Sequence, residues 1–127
     1  MIRIPAGLRL FLFIAFALAI LVLSVMPSPP EMIQEVLSWD KAQHALAYAV
    51  FTLLGGWALT PVFGAPRAWR LAFALAIGYG LVIEVLQGLG GRRSPQLADG
   101  AADIIGAAVV YLIWFVVARL RQKGSCP

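Results

Sequence analysis

Four apolar runs, each about 20 residues long, constrain this chain more than any other feature of its sequence. The first reads LRLFLFIAFALAILVLSVM and covers positions 8–26. An α-helix rises about 1.5 Å per residue, so a run of this length crosses the roughly 30 Å hydrocarbon core of a bilayer. The other runs cover positions 42–63, 68–89 and 101–118. The pattern predicts an all-α integral membrane protein with four transmembrane helices in a compact bundle.

The composition supports this prediction. Hydrophobic residues make up 61% of the chain and charged residues only 13%, whereas an average soluble domain is about 45–50% apolar and about 25% charged. A soluble domain of 127 residues could not bury so much apolar surface, so much of that surface must face lipid. The length fits one domain over positions 1–127.

The first apolar run is expected to be a retained helix rather than a cleaved signal peptide. It is longer than the 7–15 residues or so of a signal-peptide core, and the following SVMPSPP offers no small-x-small cleavage site. The run therefore counts as the first span.

The basic residues are distributed unevenly over the ends of the runs. Seven of the ten lie in the N-terminal segment, the second loop or the C-terminal tail: Arg3, Arg9, Arg67, Arg70, Arg119, Arg121 and Lys123. Lys and Arg in short loops favour the cytoplasmic side, so both termini are expected in the cytoplasm and the first and third loops outside. This scatter is typical of membrane orientation rather than of a nucleic-acid patch, and no nucleic-acid partner is expected.

The remaining polar residues collect at the predicted outer end of the bundle. They are Asp40, Lys41, His44 and Tyr48 at the start of the second helix, Glu84 and Gln87 at the end of the third, Arg92 and Arg93 in the third loop, and Asp99 and Asp103 leading into the fourth helix. Spacings of three or four residues place Asp40, His44 and Tyr48 on one face of the second helix. The same holds for Glu84 with Gln87 on the third helix and Asp99 with Asp103 on the fourth. Small residues beside them would let the helix backbones approach closely: Ala76, Gly80, Ala98, Ala102 and Gly106.

Several of these residues have an ordinary structural explanation. Asp40 alone is typical of a helix N-cap and Lys41 of an interfacial anchor, and a single histidine in such a place is more often a hydrogen-bonded interior residue than a ligand. Glu84 and Asp103 differ because apolar residues flank both, in GYGLVIEVLQGL and AADIIGAAVV. A charge at the bilayer centre costs about 2.5–3.5 kcal/mol, so these two are expected to face the bundle interior.

The chemistry of these residues leaves two main functions open. Lys41, Arg92 and Arg93 are suited to an anionic group such as a phosphate or carboxylate. His44 and Glu84 are the candidates for acid–base catalysis or a proton relay. Binding and catalysis therefore both remain possible at this end of the bundle.

A divalent metal ion is a weaker alternative. Its candidate ligands are His44, Glu84, Asp99 and Asp103, but no HExxH or comparable pair occurs. A covalent mechanism has little support either, because Ser94 is the only hydroxyl nearby and no GxSxG elbow is present.

Taken in order, the polar residues resemble the VanZ-like membrane protein family. The resemblance rests on DKAQHALAY at 40–48, EVLQ at 84–87, RR at 92–93 and DGAADIIG at 99–106, and it covers about two-thirds of the chain. Either Arg92 or Arg93 fills the family's arginine position. Asp103 stands where the family often has an asparagine, so the resemblance does not imply that a negative charge is needed there.

The resemblance implies a small multi-pass protein of the bacterial cytoplasmic (inner) membrane whose function concerns the cell envelope. The family's namesake is associated with low-level resistance to teicoplanin, a glycopeptide antibiotic that acts outside this membrane on cell-wall precursors. Three functions are therefore compared. They are a pocket for an anionic lipid headgroup, a lipid-linked cell-wall precursor or a lipoglycopeptide; a hydrolase or transferase acting on a lipid headgroup; and a purely structural polar core. A chain of four helices is also compatible with a homo-oligomer.

Overall fold

The computed structural model describes residues 3–26, 40–90 and 97–125, and the side chains of 3–26, 41–90 and 100–125. This part of the chain forms four helices and no strand: α1 (Ala6–Val25), α2 (Asp40–Phe63), α3 (Ala65–Leu89) and α4 (Leu97–Gly124). Each helix is long and apolar enough to cross a membrane. The predicted all-helical class with four candidate spans is confirmed, whereas the cytoplasmic location of the termini stays a prediction.

Helix α4 is longer than its apolar run predicts. The run ends at Ala118, but the helix continues through polar residues to Gly124, with Arg121 and Lys123 in its last turn. Cations there interact favourably with the unpaired carbonyl groups and the negative end of the helix dipole. Interactions of these basic side chains with the helix end therefore help to stabilise the last turns, which are polar.

A single residue, Gly64, connects α2 to α3. Its φ of 78° lies in the left-handed region, which glycine adopts without steric cost. Its N–H donates to the carbonyl of Thr60 and its own carbonyl accepts from Ala68, both at 2.9 Å. Pro66 follows in the first turn of α3, where no backbone donor is needed. These features reverse the chain sharply and leave α2 and α3 adjacent.

Helix α2 lies at the centre of the bundle. It contacts each of the other helices, and α1 packs mainly on α2 and less on α3. Aromatic rings fill the space between α1, α2 and α3: Phe13 meets Phe51 edge to face at 5.0 Å, and Phe51 stacks on Tyr79 at 5.2 Å between centroids. Pairs of this kind stabilise a core beyond their apolar contact area.

Small residues allow α3 and α4 to approach their neighbours closely. The predicted small positions whose side chains are described are all buried: Ala76, Gly80, Ala102 and Gly106. The closest approach is at Gly106, where an added Cβ would lie 1.9 Å from the carbonyl oxygen of Ala45. Only glycine permits this crossing of α2 and α4. Ala98 was predicted to join the same stripe, but its side chain lies outside the described residues.

The outer surface of the bundle is apolar. Large hydrophobic side chains such as Phe11, Leu46 and Val62 are 65%, 65% and 71% exposed. Water would make such a surface aggregate, whereas lipid solvates it. The surface therefore agrees with four helices placed in a bilayer.

Candidate functional site: a polar cluster at one end of the bundle

Two hydrogen bonds show which helix ends lie together. The Gln87 side chain near the end of α3 donates to the carbonyl of Ser24 near the end of α1, at 2.9 Å. His44 near the start of α2 bonds Asp103 near the start of α4, also at 2.9 Å. We call the side chains gathered here the polar cluster: His44, Tyr48, Glu84, Gln87 and Asp103. The opposite end, with Arg3, Arg9, Arg67, Arg70, Arg119, Arg121 and Lys123, is called the basic end.

The pair of His44 and Asp103 joins α2 to α4. Nδ1 of His44 donates to Oδ1 of Asp103, and the two side chains are only 20% and 6% exposed. A carboxyl group buried to this extent is costly unless it is hydrogen-bonded, and the imidazole meets that need. The close crossing at Gly106, one helical turn further along α4, brings the two side chains into range.

The second oxygen of Asp103 lies in space that a glycine of α3 leaves open. A Cβ at Gly80 would stand 3.0 Å from Oδ2 of Asp103 and 3.4 Å from Cε1 of Tyr48. Tyr48 is almost fully buried, with 3% of its surface exposed. Gly80 therefore accommodates both the carboxylate and the phenol ring within the interface of three helices.

Glu84 occupies a matching position one turn further along α3. A Cβ at Gly100 of α4 would stand 3.0 Å from its Oε1. That oxygen is buried, and no described residue donates a hydrogen bond to it. A buried acceptor without a donor costs about 1–3 kcal/mol. Among the described residues, Glu84 is thus the incomplete part of the polar cluster.

The acids and the glycines form a reciprocal arrangement between α3 and α4. Asp103 of α4 lies against Gly80 of α3, and Glu84 of α3 lies against Gly100 of α4. Each glycine precedes the acid of its own helix by about one turn. Two carboxyl groups are thereby held at successive levels of one interface. Sequence reasoning included Gly80 in a small-residue stripe but missed Gly100.

Two polar side chains attach α1 to α3. The Gln87 side chain donates to the backbone carbonyl of Ser24, and its predicted part in ligand binding stays a prediction. Tyr79, which sequence reasoning did not select, donates its hydroxyl to the carbonyl of Ala17. Both bonds end on backbone carbonyls, which carry no sequence signal. These residues position the helices around the polar cluster.

The other predicted site residues are either exposed or lie outside the described side chains. Lys41 is exposed at the start of α2. The backbones of Asp40 and Asp99 belong to the first turns of α2 and α4, but their side chains lie outside the described residues, as do Arg92, Arg93 and Ser94 altogether. The predicted anion-binding group of Lys41 with the two arginines is therefore not tested by the structure.

The described donors do not make up a metal site. No group of three His, Cys, Asp or Glu side chains in the described ranges is placed to hold a metal ion. His44 and Asp103 are adjacent, while the side chain of Asp99, another predicted ligand, lies outside those ranges.

No protein-family model, curated protein or solved structure matches the chain. The VanZ-like resemblance consequently rests on the sequence motifs alone. An all-helical fold does not specify a function.

Proposed function

We propose that this chain is a VanZ-like protein of the bacterial cytoplasmic membrane that binds a lipid headgroup, a lipid-linked cell-wall precursor or a lipoglycopeptide at its polar cluster, from the outer side. The observation that carries the proposal is the buried Oε1 of Glu84, which lacks a donor among the described residues. A ligand with a hydroxyl or amine would supply that donor. Binding would then recover the free energy that the unpaired oxygen costs.

The acidic side chains of the polar cluster would bind the hydrogen-bond donors of a ligand. The oxygens of Glu84 and Asp103 are hydrogen-bond acceptors when ionised, and Asp103 already accepts from His44. Oε1 of the half-buried Glu84 is the buried acceptor that has no donor among the described residues. Lipid headgroups that carry hydroxyls or amines, and the sugar and peptide parts of cell-wall precursors, have suitable donors.

The anionic side of the ligand would be bound by basic residues at the same end. Lys41 is exposed at the start of α2, and Arg92 and Arg93 follow α3 in the sequence by only a few residues. Arginine and lysine both bind phosphate, arginine through two parallel hydrogen bonds. A ligand with a phosphate beside a hydroxyl or amine would use both halves of the site.

The proposal is tested by the lipids that co-purify with the protein. The chain is purified in a mild detergent, and bound lipids are identified by mass spectrometry alongside the triple variant Lys41→Ala, Glu84→Gln, Arg92→Ala. A matched control carries Arg67→Ala and Arg70→Ala at the basic end. We expect the triple variant to lose a lipid species that the control keeps, and to change the teicoplanin susceptibility of expressing cells. Unchanged lipids together with unchanged susceptibility would refute the proposal.

The second candidate function is a hydrolase or transferase acting on a lipid headgroup. The specific observation that favours it is the 2.9 Å bond from His44 to Asp103, because a carboxylate that orients an imidazole is a recurring feature of acid–base catalysis. His44→Asn keeps a side-chain donor for Asp103 but removes the titrating group. If this variant still binds the co-purified lipid but no longer turns it over, the result would favour the enzyme over the binding module.

A further inference from the structure

A groove of about 560 Å³ lies between three helices, away from the polar cluster. Its walls are mostly apolar, and its charged residue is at one end. Lining side chains include Leu53 of α2, Trp69 of α3, and Val110, Trp114, Val117 and Arg121 of α4. Spacings of three and four residues put the α4 members on one continuous face of that helix.

The length of the groove matches one leaflet of a bilayer. Its lining on α4 runs from Val110 to Arg121, which at about 1.5 Å per residue is about 16 Å. Half of a hydrocarbon core of about 30 Å is about 15 Å. The groove therefore extends from near the middle of the bundle to the surface at the basic end, as an acyl chain would.

The basic end has an excess of positive charge, which favours the binding of anions from outside the chain. The acidic side chains that the structure describes, Glu84 and Asp103, lie at the other end of the bundle, whereas seven basic residues are at this end. Arg70 donates to a backbone carbonyl and Arg119 lies over the ring of Phe115. Arg121 has no such partner among the described residues. Its guanidinium is available to a phosphate at the mouth of the groove.

Two tryptophans form a flat wall in the same region. Trp69 and Trp114 stack with their rings 5.3 Å apart and 9° from parallel, and both line the groove. Trp114 precedes Arg121 by seven residues, which is about 10 Å along the helix. The pair therefore faces the part of the groove that an acyl chain would occupy, below the headgroup.

We propose that this groove binds one acyl chain of an anionic phospholipid, with the phosphate at Arg121. The site belongs to the leaflet on the basic side, which the distribution of Lys and Arg predicts to be cytoplasmic. It lies at the opposite end of the bundle from the polar cluster and is independent of the function proposed there. The occupant that competes with it is a second copy of this chain.

The two tryptophans provide the test. A Trp39→Phe, Trp57→Phe background leaves Trp69 and Trp114 as the fluorescent residues. This protein is reconstituted in equal mixtures of phosphatidylglycerol and phosphatidylcholine, with one or the other lipid brominated in its acyl chains. Bromine quenches a tryptophan in contact, so the quenching ratio reports which lipid occupies the groove. We expect a preference of about fivefold for phosphatidylglycerol, the size that one basic residue at a membrane surface contributes.

Three variants separate the groove from the surface charge. Arg121→Gln should reduce the preference to about one, while Arg119→Gln, which removes an equal charge from the same helix end, should retain it. Val117→Phe fills the groove without changing the charge and should also abolish the preference. Val117 is 41% exposed, so the fold tolerates the larger ring.

Several results would overturn the proposal. Equal quenching by both lipids in the parent protein would remove the anion preference. If the Arg119 and Arg121 variants lose the preference for phosphatidylglycerol equally, the preference is a general attraction to surface charge. If the preference survives Val117→Phe, the lipid binds outside the groove. Tryptophans that neither lipid quenches would show that a second copy covers the groove.

Discussion

His44 and Asp103 are separated by 59 positions in the sequence, yet Nδ1 of the histidine lies 2.9 Å from Oδ1 of the aspartate. The bond fixes the start of α2 against the start of α4 and thereby sets one wall of the polar cluster. Glu84 lies on the third helix at the same end, with its Oε1 buried and unpaired among the described residues. The carboxyl group of Asp103 thus has a hydrogen-bond donor within the protein, whereas Oε1 of Glu84 has none among the described residues.

Asp103→Asn is expected to cost less than about 1 kcal/mol of unfolding free energy, whereas Asp103→Leu should cost about 1–3 kcal/mol. Asparagine keeps an acceptor oxygen for His44, and leucine removes the hydrogen bond between Asp103 and the partly buried imidazole. Reversible unfolding in mixed micelles measures both. The VanZ-like resemblance allows asparagine at this position, and an equal loss in the two variants would show instead that the negative charge itself is required.

Replacing Glu84 separates a binding role from a purely structural one. Glu84→Met keeps the size of the side chain but removes the buried oxygen that lacks a donor, so the protein should become more stable by about 1 kcal/mol. The same variant should lose the lipid that co-purifies with the parent protein. Val85→Met, at the exposed neighbouring position, is the matched control and should change neither property. Loss of stability in Glu84→Met would support the structural explanation.

Gly106→Ala should destabilise the protein by about 1–3 kcal/mol or more, because the new methyl group would meet the Ala45 carbonyl oxygen at 1.9 Å. The displaced helices would also pull His44 away from Asp103. Gly78→Ala is the control, since nothing lies within 4 Å of its added Cβ. Alanine there should stabilise the helix by about 0.5–1 kcal/mol. Thermal unfolding in detergent compares the two, and similar effects would contradict the close crossing.

The four helices could be predicted from the sequence because lipid demands long apolar runs. The turn between α2 and α3 was also recognisable from Gly64 and Pro66. The end of α4 was not, because its last turns are polar and apolar content no longer marks a helix beyond Ala118. Apolar content predicts which part of a helix lies in lipid, and it does not predict where the backbone hydrogen bonds of the helix end.

The pairing within the polar cluster could be predicted only in part. Helical spacing and antiparallel topology place His44, Glu84 and Asp103 at one end. They do not show that His44 bonds Asp103 rather than Glu84, because that choice depends on the backbone approach at Gly106. The role of Gly100 was equally hidden, since a glycine that leaves space for a carboxylate of another helix has no periodic signal.

The orientation of the bundle decides whether the polar cluster can meet cell-wall precursors. In a Cys126→Ser background, Lys41→Cys and Arg67→Cys place single thiols at opposite ends, and both positions are exposed. An impermeant maleimide applied to spheroplasts should label the thiol at position 41 at once and the thiol at position 67 only after lysis, because the excess of Lys and Arg at the basic end favours the cytoplasm. The reverse pattern would place the polar cluster in the cytoplasm. The proposed contact with external precursors or antibiotics would then be wrong, whereas the polar cluster and the lipid groove would keep their geometry in opposite leaflets.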